Sequence, residues 1–175
     1  MKLEESDLGL SNEQLKRLQL ASSAAVAEAV RTKCDKWLHR SYVDSDDLFY
    51  ADTALGRSGH DGIEQVVWRW LQQDPIERRW DTAALILWGY WRFARNVDVS
   101  VVNEVRAQLK KLSRRSDAYG SILLALSSVF FDKKASMSAD FFREGRRYLS
   151  EERRMLEKQG LHKGVADTLA DLGVA

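Results

Sequence analysis

The sequence predicts an all-α fold, and three observations support this prediction. Apolar residues recur at spacings of three and four along most of the chain, and no segment of useful length alternates apolar with polar residues. Helix-capping patterns stand where the periodic runs begin. The 175 residues include 10 Gly and 1 Pro, with 45% hydrophobic and 30% charged residues, which excludes a disordered or collagenous chain. We therefore expect a single all-helical domain over residues 1–175, with an irregular segment at about 40–62.

The first helical run begins at a capping box. The Ser11 side chain can accept a hydrogen bond from the backbone of Gln14, whose side chain can bond the backbone of Ser11 in return. An apolar stripe then extends to about residue 39, with a break expected near Ser22. Cys34 lies on this stripe and is the only cysteine, so we expect a buried thiol and a cytosolic location.

The central part of the chain predicts three further helices. A short helix is expected at about 46–55, with Gly56 just after its end. A second is expected to begin at Asp61, with Glu64 completing a cap-like pair, and to stop at residue 73. Asp74 and Pro75 predict the cap and first position of a third helix. This third helix extends to about residue 95, and because its second half is apolar nearly all round, it is predicted to be the central helix.

The C-terminal half predicts four more helices, at about 98–113, 117–132, 139–159 and 163–172. Short connections between helices favour antiparallel pairs. The sequence Gln-Gln-Asp-Pro at 72–75 is similar to the close of a tetratricopeptide unit, and Ser138, Phe142 and Gly145 match the small, aromatic, small spacing of such a unit's second helix. These matches name no family. They predict antiparallel helical hairpins stacked as a compact bundle or as a short array of the tetratricopeptide type.

The six tryptophans point to a candidate interface. Trp68 and Trp88 lie off the predicted core faces of their helices. Trp68 either covers a neighbouring helix or forms, with Arg69 and Tyr90, an exposed aromatic and arginine patch of the kind that anchors protein interfaces. The leading hypothesis is a non-catalytic cytosolic protein that binds another protein, as an adaptor, chaperone or inhibitor, near Trp68 and the segment 40–62. A homodimer that buries this patch is the competing interpretation.

A run of basic residues without acidic ones supplies an alternative hypothesis. Between residues 105 and 116 stand Arg106, Lys110, Lys111, Arg114 and Arg115. Arg106, Lys110 and Arg114 follow one another at four-residue spacing beside an apolar helix face. This stripe is either a solvated helix face or a binding site for nucleic acid or another polyanion.

A hydrolase-type enzyme is the third hypothesis. It would use the acidic and histidine residues of the irregular segment, namely Asp44, Asp46, Asp47, His60 and Asp61. The glycine-rich run at 56–62 lacks the Lys and Ser or Thr of a phosphate-binding loop, and a connector is the simpler interpretation. The three histidines have no partner at metal-ligand spacing. We therefore assign no catalytic residue, metal ligand or cofactor.

A membrane location is not expected. The longest apolar stretch, residues 122–131, is interrupted by two serines. A spanning helix needs about 20 apolar residues. The N-terminal residues also lack the basic start and apolar core of an export signal.

Overall fold

A computed structural model of the chain describes residues 2–3, 7–8, 11–39, 52–113 and 116–131. Within these ranges there are seven α-helices and no strand, which confirms the all-α prediction. The helices are α1 (Asn12–Leu20), α2 (Ser23–Leu38), α3 (Thr53–Arg57), α4 (Ile63–Gln72), α5 (Glu77–Phe93), α6 (Val99–Leu109) and α7 (Asp117–Phe131). The helices predicted at 139–159 and 163–172 lie outside the described residues. No helix in the described ranges is both long and apolar enough to cross a bilayer.

The first helix begins at the capping box that the sequence predicts, and the second begins at a serine cap at the expected break. Ser11 Oγ accepts a hydrogen bond from the Gln14 backbone at 3.2 Å, and Gln14 Oε1 accepts one from the Ser11 backbone at 3.1 Å. The expected break falls at Ala21, after which Ser22 Oγ accepts a hydrogen bond from the Ala25 backbone at 3.3 Å and caps α2. Local hydrogen bonding therefore determines both helix starts, as the capping pattern requires.

Helix α5 is the central helix, as predicted. Its residues from Thr82 to Trp91 are all buried. They include Trp88, which the helical period placed outside the predicted core face. A helix that is apolar all round must be covered on every side. Helix α5 accordingly packs against α2, α3, α4 and α7, and its contact with α7 is the most extensive.

Two glycines allow α3 to lie directly against the backbone of α5. A Cβ added to Gly89 of α5 would lie 2.4 Å from the Cβ of Asp52, and one added to Gly56 of α3 would lie 2.6 Å from the backbone oxygen of Tyr90. The prediction that Gly56 follows the end of its helix is wrong, because α3 continues to Arg57. Gly56 serves close helix packing, for which the missing side chain is needed, and does not end the helix.

The start of α4 differs from the prediction. Its N-cap is Gly62, with φ 81°, and no side chain caps it, so neither Asp61 nor Glu64 has the predicted capping role. The positive φ explains this difference, because glycine adopts it without the strain that other residues incur.

Helix α5 also starts later than predicted. The Ile76 backbone N–H donates to the backbone oxygen of Asp74 at 2.8 Å, which places Asp74 and Pro75 in a turn before the helix. Ile76 is therefore the N-cap, and its side chain is 48% exposed.

Candidate functional site

Trp68 lies on α4 and packs against α5. Its ring meets the ring of Trp80 edge to face, with centroids 5.5 Å apart and an interplanar angle of 69°. This is a favoured aromatic geometry. Trp68 is only partly buried, and the next residue, Arg69, is exposed. Trp68 therefore covers a neighbouring helix and also retains some exposed surface.

Tyr90 does not belong to this exposed surface, and the expectation that it does is corrected. Its side chain is 1% exposed, and its hydroxyl donates a hydrogen bond to the backbone oxygen of His60 at 3.1 Å. Burial raises the pKa of Tyr90, and the nearby Glu64 carboxylate raises it further. The physical reason is that Tyr90 stands on α5, which neighbouring helices cover on all sides.

Ile76 is the N-cap of α5, at the connection from α4. It is one of three large apolar side chains that are exposed among the described residues, and it precedes Trp80 by one helical turn. The Trp80 backbone N–H donates to the backbone oxygen of Ile76 at 3.2 Å, so Ile76 begins the helical turn that contains Trp80. Trp80 is the residue whose ring packs against Trp68. We name Trp68, Arg69 and Ile76, at the connection between α4 and α5, the corner surface.

The basic stripe is only partly within the described residues. Lys110 and Lys111 are exposed just after the last residue of α6, and Arg106 is half-buried on that helix. Arg114 and Arg115 lie outside the described residues. Lysines at this end of a helix also complement its dipole, so their position has a structural explanation as well. Polyanion binding by this stripe stays a prediction.

The residues of the hydrolase hypothesis are also only partly described. Asp44, Asp46 and Asp47 lie outside the described residues. His60 Nε2 lies 2.8 Å from the backbone oxygen of Leu18, so the imidazole joins the end of α1 to the loop before α4. Asp61 is exposed. In the part of the chain that the structure describes, no three His, Cys, Asp or Glu side chains are grouped to hold a metal ion.

A buried ion pair between α2 and the start of α3 was not predicted. Lys33 Nζ lies 2.5 Å from Asp52 Oδ1, and the two side chains are 2% and 0% exposed. The ammonium also lies 4.6 Å from the centroid of the Trp37 ring, a favourable position for a cation. Complete burial raises the pKa of Asp52, and the Lys33 ammonium opposes that rise. One signal was present in the sequence, because Lys33 stands three residues after Val30 and four before Trp37, on the apolar face of α2.

The thiol beside this pair is inert. Cys34 is fully buried, as the sequence predicts. Burial raises the pKa of the thiol well above its usual range, and the Asp52 carboxylate raises it further. Since the thiolate is the nucleophilic form of cysteine, Cys34 is not placed for covalent chemistry.

A second buried carboxylate joins the starts of α4 and α6. Glu64 is 2% exposed, and its Oε1 accepts a hydrogen bond from the Asp98 backbone N–H at 2.6 Å. Asp98 caps α6 by accepting from the Ser100 backbone at 2.8 Å, and it also accepts from Gln65 Nε2 at 2.6 Å. Burial raises the pKa of Glu64, whereas the hydrogen bonds from Gln65 and Ser100 lower the pKa of Asp98.

The raised pKa of Glu64 predicts a pH-dependent stability. Between pH 4.5, the ordinary pKa of this group, and its raised pKa in the folded protein, Glu64 is protonated to a greater extent in the folded protein than in the unfolded chain. The free energy of unfolding contributed by Glu64 therefore falls as the pH rises from 4.5 towards the folded-state pKa. Glu64→Gln is expected to make stability less dependent on pH in this window, as measured by urea unfolding at a series of pH values. Glu104→Gln, at an exposed position on α6, controls for the loss of one carboxyl group. An unchanged slope in Glu64→Gln would contradict the assignment.

Comparisons with known proteins find no relative. No protein-family model matches the chain, no curated protein matches it, and no solved structure matches it. The surfaces and buried contacts described above are therefore the support for a functional proposal.

Proposed function

We propose that this protein is a non-catalytic helical module of the cytosol that binds another protein through the corner surface, as an adaptor, chaperone or inhibitor does. The observation that carries the proposal is the exposure of three residues near the connection between α4 and α5, where Arg69 is exposed, Trp68 is partly buried and Ile76 is 48% exposed. Tryptophan and arginine are enriched among the residues that dominate interface energies. A cytosolic location agrees with a single, buried cysteine.

The corner surface also indicates the chemistry of the partner. Ile76 and the exposed part of Trp68 suit an apolar side chain, because burying apolar area drives most protein association. Arg69 and the exposed Arg78, near the start of α5, add positive charge beside it. The partner is therefore expected to present an apolar side chain together with an acidic one.

We further propose that α4 with α5 and α6 with α7 are two stacked antiparallel hairpins. Helix α4 packs on α5 and α6 packs on α7, as the two helices of a hairpin do. Helix α5 also packs on α7, and α4 contacts α6, as corresponding helices of successive repeat units do. In this arrangement the corner surface lies at the turn of the first hairpin.

A double variant, Arg69→Glu with Ile76→Glu, tests the proposed function. Both side chains are exposed, so we expect the variant to fold and to lose the partner. Proteins retained from native lysate by the immobilised chain would be quantified, and the retained protein would then be purified and titrated by calorimetry. Its affinity is expected to fall at least about tenfold, the loss that corresponds to about 1.4 kcal/mol. Leu20→Glu is the matched control, because Leu20 is 74% exposed on α1, and it is expected to retain the partner.

Three outcomes would redirect the proposal. Equal retention by the double variant and by the native chain would exclude the corner surface as the binding site. A native dimer that Ile76→Glu dissociates, measured by light scattering, would assign this surface to self-association. Nucleic acid retained at low salt, and lost in Lys110→Glu with Lys111→Glu, would favour the alternative function of polyanion binding, which the exposure of these two lysines supports.

A further inference from the structure

The C-terminal end of α5 carries a second surface, in which two arginines approach one phenyl ring. The guanidinium carbon of Arg57, at the end of α3, lies 4.7 Å from the centroid of the Phe93 ring. The guanidinium carbon of Arg92 lies 5.8 Å from the same centroid. Both distances are within the range of cation–π attraction. We name Arg57, Arg92 and Phe93 the Phe93 surface.

The packed backbone places Arg57 on this ring. A Cβ added to Gly56 would lie 2.6 Å from the backbone oxygen of Tyr90 and 2.9 Å from the Cβ of Phe93. Helix α3 can approach α5 this closely only because position 56 has no side chain. This helix contact therefore places the next residue, Arg57, beside Phe93. Contact with the Phe93 ring restricts the Arg57 side chain before a ligand binds.

A guanidinium held in this way is suited to binding a carboxylate. Arg57 is exposed, and no carboxylate of the described residues forms an ion pair with it. Stacking on an aromatic ring uses the face of the guanidinium and leaves its N–H edge for two parallel hydrogen bonds to a carboxylate. Arg95, two residues after Phe93, is exposed and adds positive charge to the same end of α5.

We propose that the Phe93 surface binds the carboxylate side chains of an acidic protein segment. This surface is separate from the corner surface, because Phe93 is the last residue of α5 whereas Ile76 precedes the first, and a helix of 17 residues is about 25 Å long. An acidic segment fits better than a nucleic acid. Single-stranded nucleic acids bind open aromatic rings by base stacking, and guanidinium groups already lie against the ring of Phe93.

Fluorescence anisotropy with a labelled hexaglutamate peptide at low ionic strength tests the proposal. The native chain is expected to bind the peptide, and Arg57→Gln with Arg92→Gln is expected to weaken binding at least about tenfold, because the charge-assisted hydrogen bonds are lost. Arg57→Lys keeps the charge without the planar N–H edge, and it is expected to weaken binding as well. The matched control, Lys16→Gln with Lys36→Gln, removes the same number of charges from exposed positions outside both proposed basic sites and is expected to change the affinity by less than about twofold. Circular dichroism establishes that each variant is folded.

Several results would overturn the proposal. They are an absence of hexaglutamate binding by the native chain, an equal loss of affinity in the lysine control, and tighter binding of a thymidine hexanucleotide than of the peptide. If the double variant does not fold, the affinity of the single variant Arg57→Gln for hexaglutamate tests the proposal, because this side chain is exposed. The Ile76→Glu variant is expected to bind hexaglutamate as the native chain does. Failure of the corner surface to bind a partner would therefore leave this result unchanged.

Discussion

Replacing Asp52 with alanine is expected to lower the free energy of unfolding by about 3–5 kcal/mol. Asp52 is fully buried, and its carboxylate lies 2.5 Å from the ammonium of Lys33, which is itself 2% exposed. The variant keeps the ammonium buried and removes the carboxylate that lies closest to it in the ion pair, so much of the cost of burying that charge is no longer offset. Urea unfolding measures the change.

A double-mutant cycle tests the cause of this loss. Lys33→Met with Asp52→Ala removes both charges, and it is expected to be more stable than Asp52→Ala alone, because no ammonium is left buried without the Asp52 carboxylate. The exposed pair on α2, Arg31 with Glu28 at 2.7 Å, is the control. Glu28→Ala is expected to cost less than about 1 kcal/mol. A cost for Asp52→Ala as small as that for Glu28→Ala would contradict the role assigned to the buried pair.

Replacing Gly89 with alanine is expected to lower the free energy of unfolding by about 2–3 kcal/mol. The added methyl group would lie 2.4 Å from the Cβ of Asp52 and 3.1 Å from its backbone carbons, so α3 and α5 would have to separate. The sign of this change in stability is informative, because alanine stabilises a helix relative to glycine by about 1 kcal/mol in the absence of a clash. Thermal and urea unfolding measure the effect.

Asn103→Ala provides the matched control for the glycine variant. Asn103 is exposed within α6, where alanine meets no neighbouring helix and improves helix propensity. This variant is expected to be as stable as the native chain or slightly more stable. If Gly89→Ala also raised stability, the close contact between α3 and α5 would be excluded.

Helix content, several helix starts and the central position of α5 could be predicted from sequence. Ser11 and Ser22 cap helices through hydrogen bonds to residues three positions away, and such bonds depend on local sequence alone. The predictions for Asp61 and Asp74 were wrong because a glycine with positive φ and a backbone turn compete with side-chain capping at those sites. Helix boundaries are the part of a helix most sensitive to such competition.

The exposure of the candidate site residues could be predicted only in part. The helical period indicates on which side of its own helix a residue lies, but it does not say which sides the neighbouring helices cover. For this reason Tyr90, which the candidate patch included, is buried, and Ile76, which the patch did not include, is exposed. The Phe93 surface could not be predicted from the helical period either, because Arg57 and Phe93 lie on different helices that pack together at a glycine.

Short-range patterning in this chain was sufficient to establish its helical class, its capped helix starts and its most buried helix, since each depends on residues within one or two turns of each other. The folded arrangement alone established that Lys33 pairs with Asp52, that Glu64 bonds the start of α6, and that Gly56 and Gly89 serve helix packing. These features join residues that are far apart in the chain. Their energies come from burial and close contact, which exist only once the helices have packed together.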